Sequence, residues 1–133
     1  AVDFALLDKE DHLIGKTVGY RDGRTKGMDQ EVYKVISQDA LYERTGIQKQ
    51  IFNTIYQLMA VKMKKPQELA DAKTMLLIPD YFNFLLTGRK VTEYTNASTT
   101  QLLGASIRIF VSIPNFSTCP AFNTVTGMPF SFA

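Results

Sequence analysis

Apolar positions fall into short blocks whose spacing changes along the chain, and each block predicts an element. Val2, Phe4, Leu6 and Leu7 form a compact apolar segment, followed by polar Asp8-Lys9-Glu10-Asp11 and then Leu13 to Tyr20; this reads as strand, turn, strand. Met28, Val32, Val35 and Ile36 recur at spacings of three and four, which predicts a helix over Asp29–Ile36. Ser37-Gln38-Asp39-Ala40 has the composition of a helix N-terminus, and Gly46 suits the left-handed position after a helix end, so a second short helix runs through Leu41-Tyr42-Glu43-Arg44. The clearest helix is Thr54–Lys64, with Ile55, Leu58, Met59, Lys62 and Met63 on one stripe until Pro66 interrupts and opens a further helical turn. Met75-Leu76-Leu77-Ile78 is a buried run compatible with strand or helix, Asp80–Thr87 is helical with Gly88 as its stop, and Arg89–Thr95 reads as a turn and short strand.

Strands followed by several helices argue a mixed α/β domain. Two strands make no stable sheet without neighbours, so the remaining strands are expected upstream of Ala1. With 133 residues there is room for one domain or part of one.

Charge changes this picture at one place. Of 15 basic and 13 acidic residues only Arg108 falls after Glu93, and from Ala105 on the chain is Ser, Thr, Phe and Pro without helical or strand period. The expected division is therefore residues 1–103 as a domain and 104–133 as an atypical tail, read as a frameshifted end foreign to the gene; a hydrophobic peripheral arm is the alternative. A net charge of +2 gives no field strong enough to steer nucleic acid or anionic lipid. No apolar run approaches the ~20 residues that span a bilayer, and the single Cys119 cannot form an internal disulfide, so a cytoplasmic chain is expected.

No self-contained catalytic template is present: neither form of Gly-rich phosphate loop, no His/Cys cluster, no nucleophile elbow. His12 reads as a solvated turn residue and Cys119 as an incidental thiol. Tyr20-Arg21-Asp22-Gly23-Arg24-Thr25 sets two guanidiniums and a carboxylate at a strand end, where α/β sheets place ligand loops; these groups suit a polyhydroxylated ligand, or Arg21 and Asp22 form a structural ion pair. Asp3 is a charge in an apolar segment and must be paired, exposed at the strand end or functional. Phe52 and Asn53 precede the third helix, suited to stacking on a sugar face and bonding its hydroxyls, or to acting as hydrophobic staple and cap.

Three stretches together resemble the N-terminal domain of the FGGY carbohydrate kinases: Val2-Asp3-Phe4-Ala5-Leu6-Leu7-Asp8, Tyr20 to Thr25, and Leu77 to Gly88 followed by Glu93-Tyr94-Thr95-Asn96-Ala97-Ser98-Thr99-Thr100-Gln101-Leu102. The resemblance covers Ala1 to about Leu103. It implies an α/β, ribonuclease-H-like (actin-like ATPase) domain that is incomplete, and an enzyme that transfers phosphate from ATP, with Mg²⁺, to a sugar in a cleft between two such domains. Thr45 to Gln48 and Phe52 to Leu58 point within the family to L-rhamnulose as the sugar, phosphorylated at its 1-hydroxyl. Xylulose, fuculose or glycerol are the alternatives, and a non-catalytic sugar-binding or interaction module is the rival from another class.

By the same resemblance the first phosphate loop precedes the place of Ala1, and the catalytic Asp and FGGY signature follow that of Leu103, so no catalytic residue is assigned and the chain alone is expected to be inactive. Ala1 stands where the family has a sugar-contacting glycine, a departure that adds a methyl group. Asp3, Phe52 and Asn53 complete the expected sugar-binding set, with Arg21, Asp22 and Arg24 shaping the site.

Overall fold

The computed structural model describes residues 2–104. Their order is β1 (Phe4–Leu7), a 3-10 turn (Gly23–Thr25), α1 (Met28–Tyr33), α2 (Gln38–Thr45), α3 (Thr54–Lys64), α4 (Pro66–Asp71), β2 (Thr74–Leu77), α5 (Ile78–Thr87) and α6 (Tyr94–Ser98). β1 and β2 pair antiparallel in the register Phe4↔Leu77 to Leu7↔Thr74. All eight strand residues are buried, which is why both segments read as continuous apolar runs instead of alternating ones. The ladder is prolonged at both ends, where the amide of Ile78 donates to the Asp3 carbonyl at 3.0 Å and that of Lys73 to the Leu7 carbonyl at 2.8 Å.

The expected second strand, Leu13 to Tyr20, does not form. Its contact with β1 shrinks to a single bridge, Leu7↔Leu13, and one bond from the Ile14 amide to the Leu6 carbonyl at 2.8 Å. Gly15 then takes φ 63°, a left-handed turn that ends extended pairing, and the chain leaves β1. The polar turn before it is organised by Asp8, whose carboxylate accepts from the amides of Glu10 (2.9 Å) and His12 (2.8 Å).

α3 is the hub of the core. Ile55 and Leu58 are fully buried among Phe4, Leu6, Val32, Leu41, Met75 and Leu77, each contributing about 1.5–3 kcal/mol by burial. The predicted bounds hold, but the one-stripe reading does not: every residue from Thr54 to Val61 is buried, because strands and helices pack around the whole N-terminal half, and exposure begins only in the last turn, at Met63 and Lys64. Pro66 begins α4, as expected of a proline in a first turn.

α1 stops at Tyr33, short of the predicted Ile36, where the amides of Lys34 and Val35 crowd onto the Val32 carbonyl in bonds shorter in sequence than the helical i→i−4 pattern. α2 follows as read, with the Ser37 hydroxyl accepting from the Ala40 amide at 3.2 Å and Gly46 in the left-handed conformation. α5 ends at a left-handed Gly88 and leaves Phe82, Leu85 and Leu86 exposed.

The short strand expected within Arg89–Thr95 is replaced by α6. The reason is Glu93: its carboxylate accepts from the amides of Thr95 (2.9 Å) and Asn96 (2.8 Å), which nucleates a helix where alternation suggested extension. The same bonds, the Thr95 hydroxyl first, hold the Glu93 carboxyl below its ordinary range. The expected non-native tail, from Ala105 on, lies outside the described residues.

Candidate functional site

At the start of β1 the backbone is gripped by the first turns of α3. The Val2 carbonyl accepts from the Thr54 hydroxyl at 2.8 Å and from Nε2 of Gln57 at 3.1 Å. Gln57 is fully buried and its amide is used at both ends: Nε2 also donates to the Phe52 carbonyl at 2.9 Å, and Oε1 accepts from Nη2 of Arg24 at 2.6 Å. One side chain thereby ties β1, the loop before α3 and the Arg24 turn together.

Arg24 is half-buried, with its guanidinium 5.7 Å from the centre of the Phe4 ring and Nη2 also donating to the Val18 carbonyl at 3.3 Å. Nε is buried and donates to nothing among the described residues. Desolvation lowers the Arg24 pKa, opposed by the nearby charges of Asp22 and Asp3. Asp22 caps the 3-10 turn by accepting from the Arg24 amide at 2.9 Å. Arg21 turns outward, its Nε on the Tyr20 hydroxyl at 3.1 Å and its guanidinium 5.5 Å from the Tyr20 ring centre. The alternative of an Arg21–Asp22 ion pair is therefore not realised: each residue instead fixes its own part of the loop.

Asp3 brings an unmet demand to this place. Its carbonyl is in the strand ladder, but Oδ1 is buried with no hydrogen-bond partner among the described residues. A buried carboxylate oxygen without a donor is costly unless something supplies one. Phe52, half-buried, meets Tyr20 edge to face, ring centres 5.3 Å apart at 63°.

Asn53 is placed differently from the expectation of a sugar-facing amide: it is buried, and its Nδ2 donates to the Gln48 carbonyl at 3.2 Å, holding the loop before α3. It occupies the N-cap position without a side-chain cap bond. Ala1 lies outside the described residues, as does Cys119. His12 is exposed in the turn, 3.6 Å from the Asp8 carboxylate.

The structure thus gathers Asp3, Arg24, Asp22 and the Tyr20–Phe52 pair around the start of β1, and adds Gln57 and Thr54, which the reading of the sequence missed. A signal existed: Gln57 is an amide inside an otherwise apolar helical segment, and such a residue must bond something buried. A cavity of about 210 Å³ lies beside the cluster, lined by Phe4, Leu6, Asp22, Arg24, Lys64 and Glu68 among others.

Residues 1–110 match the FGGY family of carbohydrate kinases, N-terminal domain. The chain is 57% identical over 105 residues to the rhamnulokinase of Oceanobacillus iheyensis and 55% identical over 105 residues to that of Halalkalibacterium halodurans, in each case 79% of this chain and 22% of the relative. Against the rhamnulokinase of Yersinia pseudotuberculosis it is 53% identical over 102 residues, 77% of this chain and 21% of the relative. Among solved structures, ligand-bound xylulose kinase from Lactobacillus acidophilus superposes with a TM-score of 0.72 at 25% identity, over 83% of this chain and 22% of that one. Gluconate kinase from the same organism gives 0.68 at 27% identity, over 77% of this chain and 21% of that one. The chain belongs to the FGGY family of carbohydrate kinases, with the mixed helix and strand fold of their N-terminal, actin-like ATPase domain. It spans about a fifth of the length of the curated relatives it matches.

Proposed function

We propose that this chain supplies one wall of the sugar site in an ATP-dependent kinase that converts L-rhamnulose to L-rhamnulose 1-phosphate, acting in the cytoplasm in the breakdown of L-rhamnose. The observation that carries the reading is the unpartnered, buried Oδ1 of Asp3 at the start of β1, within the field of Arg24. Identity of 53–57% to proteins named rhamnulokinase supports the choice of sugar.

In this reading Asp3 accepts a hydrogen bond from a hydroxyl of the bound ketose, and desolvation in the closed cleft strengthens that bond. Gln57 fixes the height of Val2 and hence of the Asp3 carboxylate, since both belong to the same extended segment. Arg24, whose guanidinium feels the charge of Asp3, stands beside that acceptor and is held in place by Gln57. Phe52 and Tyr20 form an aromatic edge that suits the C–H face of a sugar.

ATP would supply the phosphoryl group and Mg²⁺ would neutralise its charge. The described residues do not fit either: no group of three or more His, Cys, Asp or Glu among them is placed to hold a metal ion, and the chain has no Gly-rich phosphate loop. Their part in the reaction is to bind and orient the sugar. Among the described residues no helix is long and apolar enough to cross a membrane.

The test is a chimera in which residues 2–104 replace the matching segment of the Oceanobacillus iheyensis relative. ATP-dependent phosphorylation of L-rhamnulose within about ten-fold of the parent supports the reading. A folded chimera active on xylulose and inactive on L-rhamnulose overturns the choice of sugar, and the 133-residue chain turning over L-rhamnulose alone overturns the division of labour.

A further inference from the structure

A second cavity, of about 280 Å³, lies apart from the β1 wall, between α2, the loop after it and another side of α3. Its walls include Tyr33, Asp39, Tyr42, Lys49, Tyr56 and Gln101. Tyr56 and Gln57 are neighbours on α3 and project about 100° apart, so the helix serves both places with successive residues.

Gln101 is the residue that calls for a ligand. It is 2% exposed, and its Nε2 donates to the Ile47 carbonyl at 2.9 Å, which fixes the amide. That leaves Oε1 buried, with no donor among the described residues. The backbone of Gln101 stands at φ 61°, a left-handed conformation that costs a non-glycine residue about 1 kcal/mol, so the side chain is held at this wall against a local penalty.

The other walls define what would satisfy it. The hydroxyls of Tyr33 and Tyr56 lie 3.0 Å apart and share one hydrogen bond, so one phenolic proton stays unused between them. Burial pushes the Tyr56 phenol well above its ordinary range, so its hydroxyl stays protonated at physiological pH. Lys49 is already paired with Asp29 at 2.6 Å and sits 5.3 Å from the Tyr33 ring centre, so its charge is answered within the chain and exerts little pull on an anion. Asp39 and Gln38, both exposed, add an acceptor and an amide at the rim, and Tyr42 offers an exposed aromatic face. Donors and acceptors are mixed, the one wall charge not answered among the described residues is the exposed Asp39 at the rim, which disfavours an anion, and the volume lies at the small end of ligand cavities.

We propose that this cavity is a second, non-catalytic binding site for a small uncharged polyhydroxylated molecule, an open-chain polyol or free sugar, whose hydroxyl donates to Oε1 of Gln101 and accepts from the Tyr33–Tyr56 pair. The site is independent of the kinase reading, because none of its residues belongs to the β1 wall.

The experiment is a titration of the ¹⁵N-labelled 133-residue chain, followed by NMR, with glycerol, D-sorbitol and L-rhamnose in separate runs and inorganic phosphate as the charged comparison. The proposal expects saturable shifts of the Gln101 side-chain amide and of the Ile47 and Tyr42 backbone amides with at least one of the three hydroxylated probes. Asp39→Ala, at an exposed position, and Tyr56→Phe should each weaken that binding about five-fold, the worth of one hydrogen bond. No saturation with any of the three, saturation by phosphate alone, shifts confined to Val2–Phe4 and Phe52, or affinity unchanged in the folded Asp39→Ala variant would each overturn it.

Discussion

Replacing Gln57 by Leu tests how much of the site rests on a single amide. The side chains are close in volume, so the change opens no cavity, and its cost is a matter of hydrogen bonds. Gln57→Leu removes a charge-assisted bond to Arg24 at 2.6 Å, worth about 1.5–3 kcal/mol, and strands the Phe52 carbonyl, worth about 1–3 kcal/mol. The Val2 carbonyl loses its bond to Nε2 but keeps the Thr54 hydroxyl at 2.8 Å, so little is added there. Against these losses, the buried Leu returns about 1–2 kcal/mol of transfer free energy. The net expectation is destabilisation by about 3 kcal/mol. In urea unfolding followed by circular dichroism, with a slope of about 1.5 kcal/mol/M, the midpoint should fall by about 2 M with the slope unchanged. Gln57→Glu separates the two ends of the amide: it keeps an acceptor for Arg24 but replaces the donor with a second oxygen facing two carbonyls, and should be less stable at pH 7 than at pH 4. A Gln57→Leu unfolding free energy within about 0.5 kcal/mol of wild type would refute the reasoning, since the network would then have no energetic weight.

Two further outcomes concern the frame around the site. Asp80 is buried, which raises its pKa above the ordinary 3.8, with the Glu93 charge adding to the rise and the bond from the Glu93 amide opposing it. A raised carboxyl favours the folded state only while protonated, so its contribution is complete below 3.8 and is lost as pH climbs through the folded value. Asp80→Asn should therefore gain on wild type in thermal midpoint as pH is raised from about 4 to 7; parallel curves would contradict the assignment. Gly15→Ala should cost about 1–2 kcal/mol, because φ is 63° and the new methyl would stand 2.7 Å from Oε1 of Glu68, an atom already accepting from Lys65. Gly46→Ala, at φ 67° with nothing within 4 Å, should cost only the backbone share of about 1 kcal/mol, and equal thermal shifts for the two would show that the Glu68 contact is immaterial.

The helices were legible wherever a local stop or start accompanied the period. Ser37, Gly46, Pro66 and Gly88 mark their positions by backbone chemistry that needs no tertiary partner, and the structure uses each as expected. The strand after Leu13 was misread because Gly15 in the middle of an apolar stretch looks harmless until its positive φ is known. α6 was missed because Glu93 acts as a cap through its own side chain, while the surrounding residues have β-forming composition. For the site, Asp3 stood out as a charge among apolar neighbours, whereas Gln57 is recognised only once Val2 and Arg24, 55 and 33 residues away in sequence, are brought to its two ends. Asn53 shows the converse: residue type suggested a ligand, and the fold uses its amide to hold Gln48.

The most direct test of the account is the steady-state kinetics of Asp3→Asn in the chimeric kinase, because the substitution keeps shape and removes the acceptor charge at the start of β1. A KM for L-rhamnulose raised by about ten-fold or more, the worth of one charge-assisted hydrogen bond, with KM for ATP unchanged, is the expected result. An unaltered KM for L-rhamnulose in a folded variant would contradict the claim that this segment holds the sugar.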